Sequence, residues 1–226
     1  MLGTGDAILE AKYDGIKYEQ SNSSFYVLTN QKTGMISTEG KTLIKPEYES
    51  LLLIDSKNRL YLAKKNNLYG VINETGKEII YIENEKIGID VSNFSYNGVK
   101  NGYILLDKLI PVMQNKKWAF YDLKGNMVSN GYIYDAIGCS AGNTSNVYGL
   151  LIVPDYDMIV VQKDKKYSLM TENGEENILP FSFDSMYIKV SSGKEYYYMQ
   201  YNGKNYDIVG TLEKKGVSKK SDAEKD

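Results

Sequence analysis

The 226-residue chain has no histidine, one cysteine (Cys139), one arginine (Arg59), one tryptophan (Trp118) and four prolines. Without histidine there is no Ser-His-Asp or Cys-His nucleophile pair, and no histidine-built zinc or non-haem iron site. A single cysteine makes neither an intrachain disulfide nor a thiolate cluster. One arginine among 27 basic side chains leaves almost no material for planar, bidentate grip on phosphate. Acids and bases nearly balance, 29 against 27, and their signs are interspersed. No basic face emerges, which argues against a nucleic-acid partner. No motif calls for a cofactor.

Long apolar runs are missing too. No stretch approaches the ~18 residues of a membrane helix, and the longest patches, Leu51–Ile54 and Gly149–Val153, are strand-sized. Residues 1–10 (MLGTGDAILE) have neither the basic start nor the apolar length of a signal peptide. Direct membrane insertion is therefore not expected. The chain reads as cytoplasmic if it is complete, and as a cell-surface module if an upstream segment has been removed.

What the chain has in plenty is tyrosine, 21 copies, and a repeat. Five segments share one template: Asn30–Ser37, Asn66–Asn73, Asn115–Asp122, Asp164–Thr171 and Gly203–Gly210. Each opens on Asn, Asp or Gly, residues that tolerate a left-handed backbone. Four carry an aromatic three positions on, then usually a small residue, two apolar residues and a small polar one or Gly. In the first four copies a glycine (Gly40, Gly76, Gly125, Gly174) sits six residues past the small position. Two turns at a fixed interval with β-favouring residues between them describe a hairpin and a further turn.

Strands are expected before each first turn: Phe25–Thr29, Leu60–Lys64, Ile110–Met113, Met158–Gln162 and Tyr196–Tyr201. Third strands follow the glycine at Thr42–Ile44, Glu78–Ile80 and Asn177–Leu179. A fourth element recurs as Pro46–Leu51, Asn84–Ile87, Tyr134–Ile137 and Phe183–Met186, and the chain opens with it at Tyr13–Ile16.

The small positions 34, 70, 119, 168 and 207 lie 36, 49, 49 and 39 residues apart, the length of about four short strands. The longer gaps place insertions around Gly88–Gly102 and Gly138–Asp157, and Cys139–Asn146 reads as a surface loop. These features predict an all-β fold of tandem β-hairpin repeats. The opening remnant and the truncated last copy complement each other, favouring a five-unit propeller-like ring over an open β-hairpin array. A flexible N-terminus over 1–7, one β-repeat domain over 8–212 and a disordered Lys/Asp/Glu-rich tail over 213–226 complete the expectation.

The run Tyr69-Gly70-Val-Ile-Asn-Glu-Thr-Gly76-Lys-Glu-Ile-Ile resembles the bacterial WG repeat, named for a Trp-Gly pair. Pro46-Glu-Tyr48-Glu and Tyr13-Asp14 are similar to that family's closing element. The resemblance spans roughly residues 12–210 in degenerate copies: Thr33 stands for the aromatic, Ala119 follows Trp118, and Asp207 follows Tyr206. It implies a repeat scaffold and brings no catalytic residues.

Among candidate sites, Tyr196 and Tyr198 fall on one strand face, where tyrosines can stack on sugar rings. The same tyrosines also suit a half-buried strand. Asp155 and Asp157, with Asp14, are the carboxylates to weigh for glycoside chemistry; solvated loops explain them equally. Trp118 fits core packing, and with no histidine or arginine near it in sequence Cys139 reads as a bystander thiol. The function expected is a non-enzymatic repeat scaffold or binding module for a protein or cell-wall polymer. The alternatives are a carboxylate-dependent glycan-active enzyme and a sensor module of a larger membrane-anchored protein.

Overall fold

The structure, a computed structural model, describes residues 12–20, 22–90, 94, 103–104, 106, 108–141 and 146–219. The expected flexible segment 1–7 lies outside them. The chain divides into two compact units, Met1–Ile87 and Gly88–Asp226. Their boundary falls where the first insertion begins.

The first unit holds β1 (Gly15–Glu19), β2 (Ser24–Thr29), β3 (Lys32–Ser37), β4 (Thr42–Tyr48), β5 (Ser50–Asp55), β6 (Leu60–Lys65), β7 (Leu68–Asn73), β8 (Glu78–Asn84) and β9 (Lys86–Ile87). Two antiparallel four-stranded sheets result, β1-β2-β3-β4 and β5-β6-β7-β8. The hairpins turn on Asn30-Gln31 and Asn66-Asn67, all four residues at φ between 49° and 61°. Two consecutive positive φ values give the turn whose twist matches the flanking strands.

After the hairpin, Ser37 and Asn73 each take the N–H two and four residues on with their side-chain oxygens. Gly40 and Gly76, both at φ 80°, close that second turn. The template's final polar residue is thus a turn cap.

The small position also has a physical cause. A Cβ on Gly34 would lie 2.6 Å from the Ile44 carbonyl oxygen and 2.6 Å from the Pro46 nitrogen. On Gly70 it would lie 2.7 Å from the Ile80 oxygen. In both sheets the register slips at this point, so the bulged backbone of the fourth strand crosses directly over the glycine. The core beneath gathers Met35, Ile44, Tyr48, Tyr61, Ala63 and Ile72.

The fourth element proves to be a crossover. Pro46–Tyr48 ends β4, whereas Ser50 and Leu51 open β5 in the next sheet. By the same phase, β1 is the first strand of its own sheet, paired with β2 from Gly15↔Leu28 to Glu19↔Ser24. It is a sheet's starting strand, not a remnant left over for the last copy.

The second unit holds β10 (Ile89–Asp90), β11 (Tyr103–Ile104), β12 (Leu109–Gln114), β13 (Lys117–Asp122), β14 (Ala136–Ile137), β15 (Val147–Gly149), β16 (Ile152–Val153), β17 (Met158–Lys163), β18 (Lys166–Met170), β19 (Ser185–Ser191), β20 (Lys194–Tyr201), β21 (Lys204–Asp207) and the helix α1 (Ile208–Lys214). β12 and β13 form the third hairpin, β17 and β18 the fourth, β20 and β21 the fifth. Their turns again show paired positive φ, at Asn115-Lys116, Asp164-Lys165 and Asn202-Gly203. The fifth copy therefore starts at Asn202, one residue earlier than its sequence template.

Three expectations change here. Asn177–Leu179 is a turn and not a strand. The run ahead of it, Glu172-Asn-Gly-Glu-Glu-Asn177, is poor in β-favouring residues, and Pro180 follows Leu179 at once. Cys139 starts the second insertion inside the core, 4% exposed, bridged to Leu150 and accepting the Met186 N–H at 3.4 Å. Residues 142–145 of that loop lie outside the described residues. Lastly, the chain stays regular past residue 212. Asp207 ends β21 and caps α1 by accepting the Gly210 N–H at 2.9 Å. Ile208 and Leu212, four apart on one helix face, are wholly buried, and Val217 packs against the same core. Within the expected tail, residues 220–226 lie outside the described ones.

The insertion also builds structure. It separates β14 from β16, which both pair with β17, and it sends β15 to the edge of the last sheet. That sheet runs β15-β19-β20-β21. One of its faces covers a core of Met186, Ile188, Met199, Leu169, Leu179 and Leu212.

Candidate functional site

The tyrosine strand expected to carry a site is β20. Strand alternation puts Met199 in the core and turns Tyr196 and Tyr198 to the opposite face. Tyr196 is 44% exposed and Tyr198 half-buried. The expected pair is therefore brought together on one accessible surface.

Register adds a third tyrosine that no local pattern marks. β19 pairs with β20 so that Tyr187 stands opposite Tyr198 and Lys189 opposite Tyr196. The Tyr187 and Tyr198 rings lie 5.6 Å apart, tilted by 34°. Burial and the neighbouring Tyr198 push the Tyr187 hydroxyl above its ordinary pKa, offset by a hydrogen bond from Asn205. Gln200, next along the face, donates to the Asn205 side-chain oxygen at 3.3 Å. Three phenol rings with adjoining amides form a face that offers both apolar area and hydrogen bonds.

The candidate carboxylates have other employment. Asp14 accepts the Asn30 N–H at 2.7 Å, so it caps the first hairpin turn. The homologous acid does the same in later copies. Glu49 takes the Asn67 N–H at 3.3 Å and Asp184 the Asn202 N–H at 2.9 Å. Asp135 is held by backbone N–H groups of Lys165 and Asp164. Lysines Lys32, Lys117 and Lys166, each two positions into the preceding hairpin, pair with Glu49, Asp135 and Asp184. These contacts hold the Asp135 and Asp184 carboxyls below their usual range, the lysine hydrogen bond being the largest cause. Asp155 and Asp157 both sit at positive φ, 64° and 47°, in the turn before β17.

Trp118 is half-buried against the core of Phe120 and Tyr134. The recurring aromatic of the fourth element does enter the core: Tyr48, Tyr134 and Phe183 are 4%, 0% and 8% exposed. Burial raises the pKa of the Tyr134 hydroxyl, and the hydrogen bond it donates to Glu176 raises it further.

Within the first unit, a cavity of about 220 Å³ is lined by Asn22, Ser24, Arg59, Tyr61 and Glu74 among others. Arg59 pairs with Glu74 there, and the Asn22 amide donates to the Tyr61 hydroxyl. No group of three or more Asp, Glu or Cys side chains suited to a metal ion occurs among the described residues. No helix among them is long and apolar enough to cross a membrane.

Comparison with known families places one repeat directly. Residues 34–69 match the model of the WG containing repeat. The chain carries a WG repeat. The matched window starts at the crossed-over Gly34 and ends beside Gly70, one period later, so the WG repeat and the structural period coincide. It contains the second turn, the Pro-Glu-Tyr crossover and the hairpin strand β6. Among curated proteins, none matches the chain. Among solved structures, it is similar to the WD40 beta propeller domain of Doa1 at 8% identity and a TM-score of 0.28. That match covers 85% of this chain and 66% of the other, and it is too distant to bear on the fold.

Proposed function

We propose that the chain is a non-enzymatic binding module whose β19–β20–β21 face holds a polysaccharide. The observation that carries this reading is the grouping of Tyr187, Tyr196 and Tyr198 on one accessible sheet face, beside Gln200 and Asn205. Phenol rings cover the apolar face of a sugar, and amides and hydroxyls meet its rim. The engagement of Asp14, Glu49, Asp135 and Asp184 in turn capping supports a scaffold over a pair of catalytic acids. A repeat fold enlarges such a surface without adding chemistry.

Retention on insoluble cell-wall polysaccharide tests the reading. The wild-type chain is retained; Tyr196→Ala, Tyr198→Ala and Tyr187→Ala elute early with unchanged melting temperatures. Because Tyr187 and Tyr198 touch, their double variant loses less than the two single losses combined. Equal retention of all variants, or no retention of the wild type, overturns the glycan reading and turns attention to a protein partner.

A five-unit propeller-like ring is the finer form of the architecture in this proposal. Small-angle scattering tests it: a closed, compact chain has a radius of gyration near about 17 Å. A markedly larger value supports the open hairpin array.

A further inference from the structure

We infer that the tyrosine face selects an acidic polysaccharide over a neutral one, an inference that rests on the glycan reading above. The argument comes from what surrounds the tyrosines. Period-2 alternation puts Lys194, Tyr196, Tyr198 and Gln200 of β20 on one face. Pairing with β19 adds Ser191, Lys189, Tyr187 and Ser185 to it. Lys189 stands opposite Tyr196, and Lys194 precedes Tyr196 by two, so the two lysines are diagonal neighbours at one end of the strip. Both are exposed.

The register shows which groups flank these ammoniums. Across the strands Lys189 meets Val147 on one side and Tyr196 on the other. Lys194 meets Ser191. Along the strands their same-face neighbours are Tyr187, Ser191 and Tyr196. None of these is acidic. Glu195 points to the other face and accepts the Tyr197 hydroxyl. Asp207, opposite Tyr198 on β21, keeps its charge but stands away from both lysines and accepts the Gly210 N–H of the helix cap. Lys194 is the first residue after its turn, the position from which Lys117 meets Asp135 and Lys166 meets Asp184 in other hairpins.

The strip therefore has direction along its length: two ammoniums at one end, three phenol rings, then two amides with the Asp207 carboxylate beside Tyr198. A neutral glycan uses the rings and amides and leaves the like-charged lysines facing each other. A polymer with an anionic group on its sugars places that charge between Lys189 and Lys194 while its rings stack on the tyrosines. Lysine presents a point charge, so it suits carboxylate and phosphodiester groups alike. The ligand class is thus a polysaccharide bearing one or the other.

Calorimetric titration of the full chain with four probes tests this: oligogalacturonate, a glycosylated poly(glycerol phosphate), neutral cellohexaose, and polyacrylate as a polyanion without sugar. Binding of either acidic glycan about tenfold or more tighter than cellohexaose at low salt is expected, a margin that shrinks at high salt. The stronger of the two acidic probes identifies the anionic group. Lys189→Ala with Lys194→Ala removes the margin while cellohexaose binding stays, and polyacrylate binds weakly to the wild type. Equal affinity for acidic and neutral glycans overturns acid selection and leaves the glycan reading standing. Binding of no glycan at all overturns both. A margin that survives in the double lysine variant, or polyacrylate binding as tight as the acidic glycans, also overturns the inference.

Discussion

The carboxylate of Asp184 accepts the backbone N–H of Asn202 at 2.9 Å, 18 residues away, while Lys166 holds its other oxygen. Asn202 opens a hairpin turn at φ 48°, so one acid both pairs with the preceding hairpin and fixes the following one. Asp14 on Asn30 and Glu49 on Asn67 repeat the turn-capping half of that arrangement. Asp14, weighed above for glycoside chemistry, thus holds the turn-capping place that Glu49 and Asp184 fill between successive hairpins.

A pH dependence follows. The Asp184 and Asp135 carboxyls titrate below their usual range in the folded chain. A depressed folded pKa stabilises above the unfolded value and is lost as pH falls through the folded one. Melting temperature should thus hold from neutrality to the ordinary carboxylate range and fall below it. Asp184→Asn should lower the neutral melting temperature modestly and flatten the acid limb. An unchanged acid limb in Asp184→Asn and Asp135→Asn together would refute the joint.

Gly34→Ala is expected to destabilise the first unit by about 1–3 kcal/mol, as overpacking does. The new methyl meets backbone atoms of Ile44, Lys45 and Pro46 within 2.8 Å, and backbone cannot swing aside as a side chain can. Denaturant unfolding reads the change directly. Gly193→Ala is the contrast: its Cβ meets nothing within 4 Å, and its cost comes only from φ 74°.

Ser168 occupies the same template position in the fourth hairpin, fully buried, and donates to the Leu179 carbonyl at 2.7 Å. Ser168→Ala leaves that carbonyl without this donor. A loss of about 1–3 kcal/mol in urea unfolding is expected. Ser168→Gly should cost at least as much, which separates the hydrogen bond from a simple demand for small size.

The docking of the C-terminal helix is tested by Leu212→Ala. Leu212 is wholly buried in the core below the last sheet. The substitution should cost about 2–5 kcal/mol, as large-to-small core changes do.

Much of the fold was legible because its signals are local. Asn and Asp at the first turn position tolerate positive φ by themselves, and all four hairpins opening on Asn30, Asn66, Asn115 and Asp164 form where they stand. The six-residue step to Gly40, Gly76, Gly125 and Gly174 was equally dependable, because each glycine closes a turn at φ 80–86°. The fifth copy misled by one residue because Asn202 and Gly203 both suit a turn, and only pairing of Tyr201 with Lys204 fixes the choice.

The candidate site divides in the same way. Tyr196 and Tyr198 on one face follow from alternation along a single strand, which any reader of the chain can count. Tyr187 could not be placed beside them from spacing, since it depends on the register between β19 and β20. The partners of Asp14 and Asp184 lie 16 and 18 residues off, beyond the reach of local pattern.

By itself, then, the sequence determined the hairpins, their turns and the period, because backbone chirality and alternation act within a few residues. Tertiary structure alone decided four things: that the fourth element crosses to the next sheet, that the insertion lends β15 to the last sheet, that Asp207 starts a helix, and that Tyr187 joins Tyr196 and Tyr198 on their face. Each of these rests on a register or a burial shared between distant segments, and no single segment encodes it.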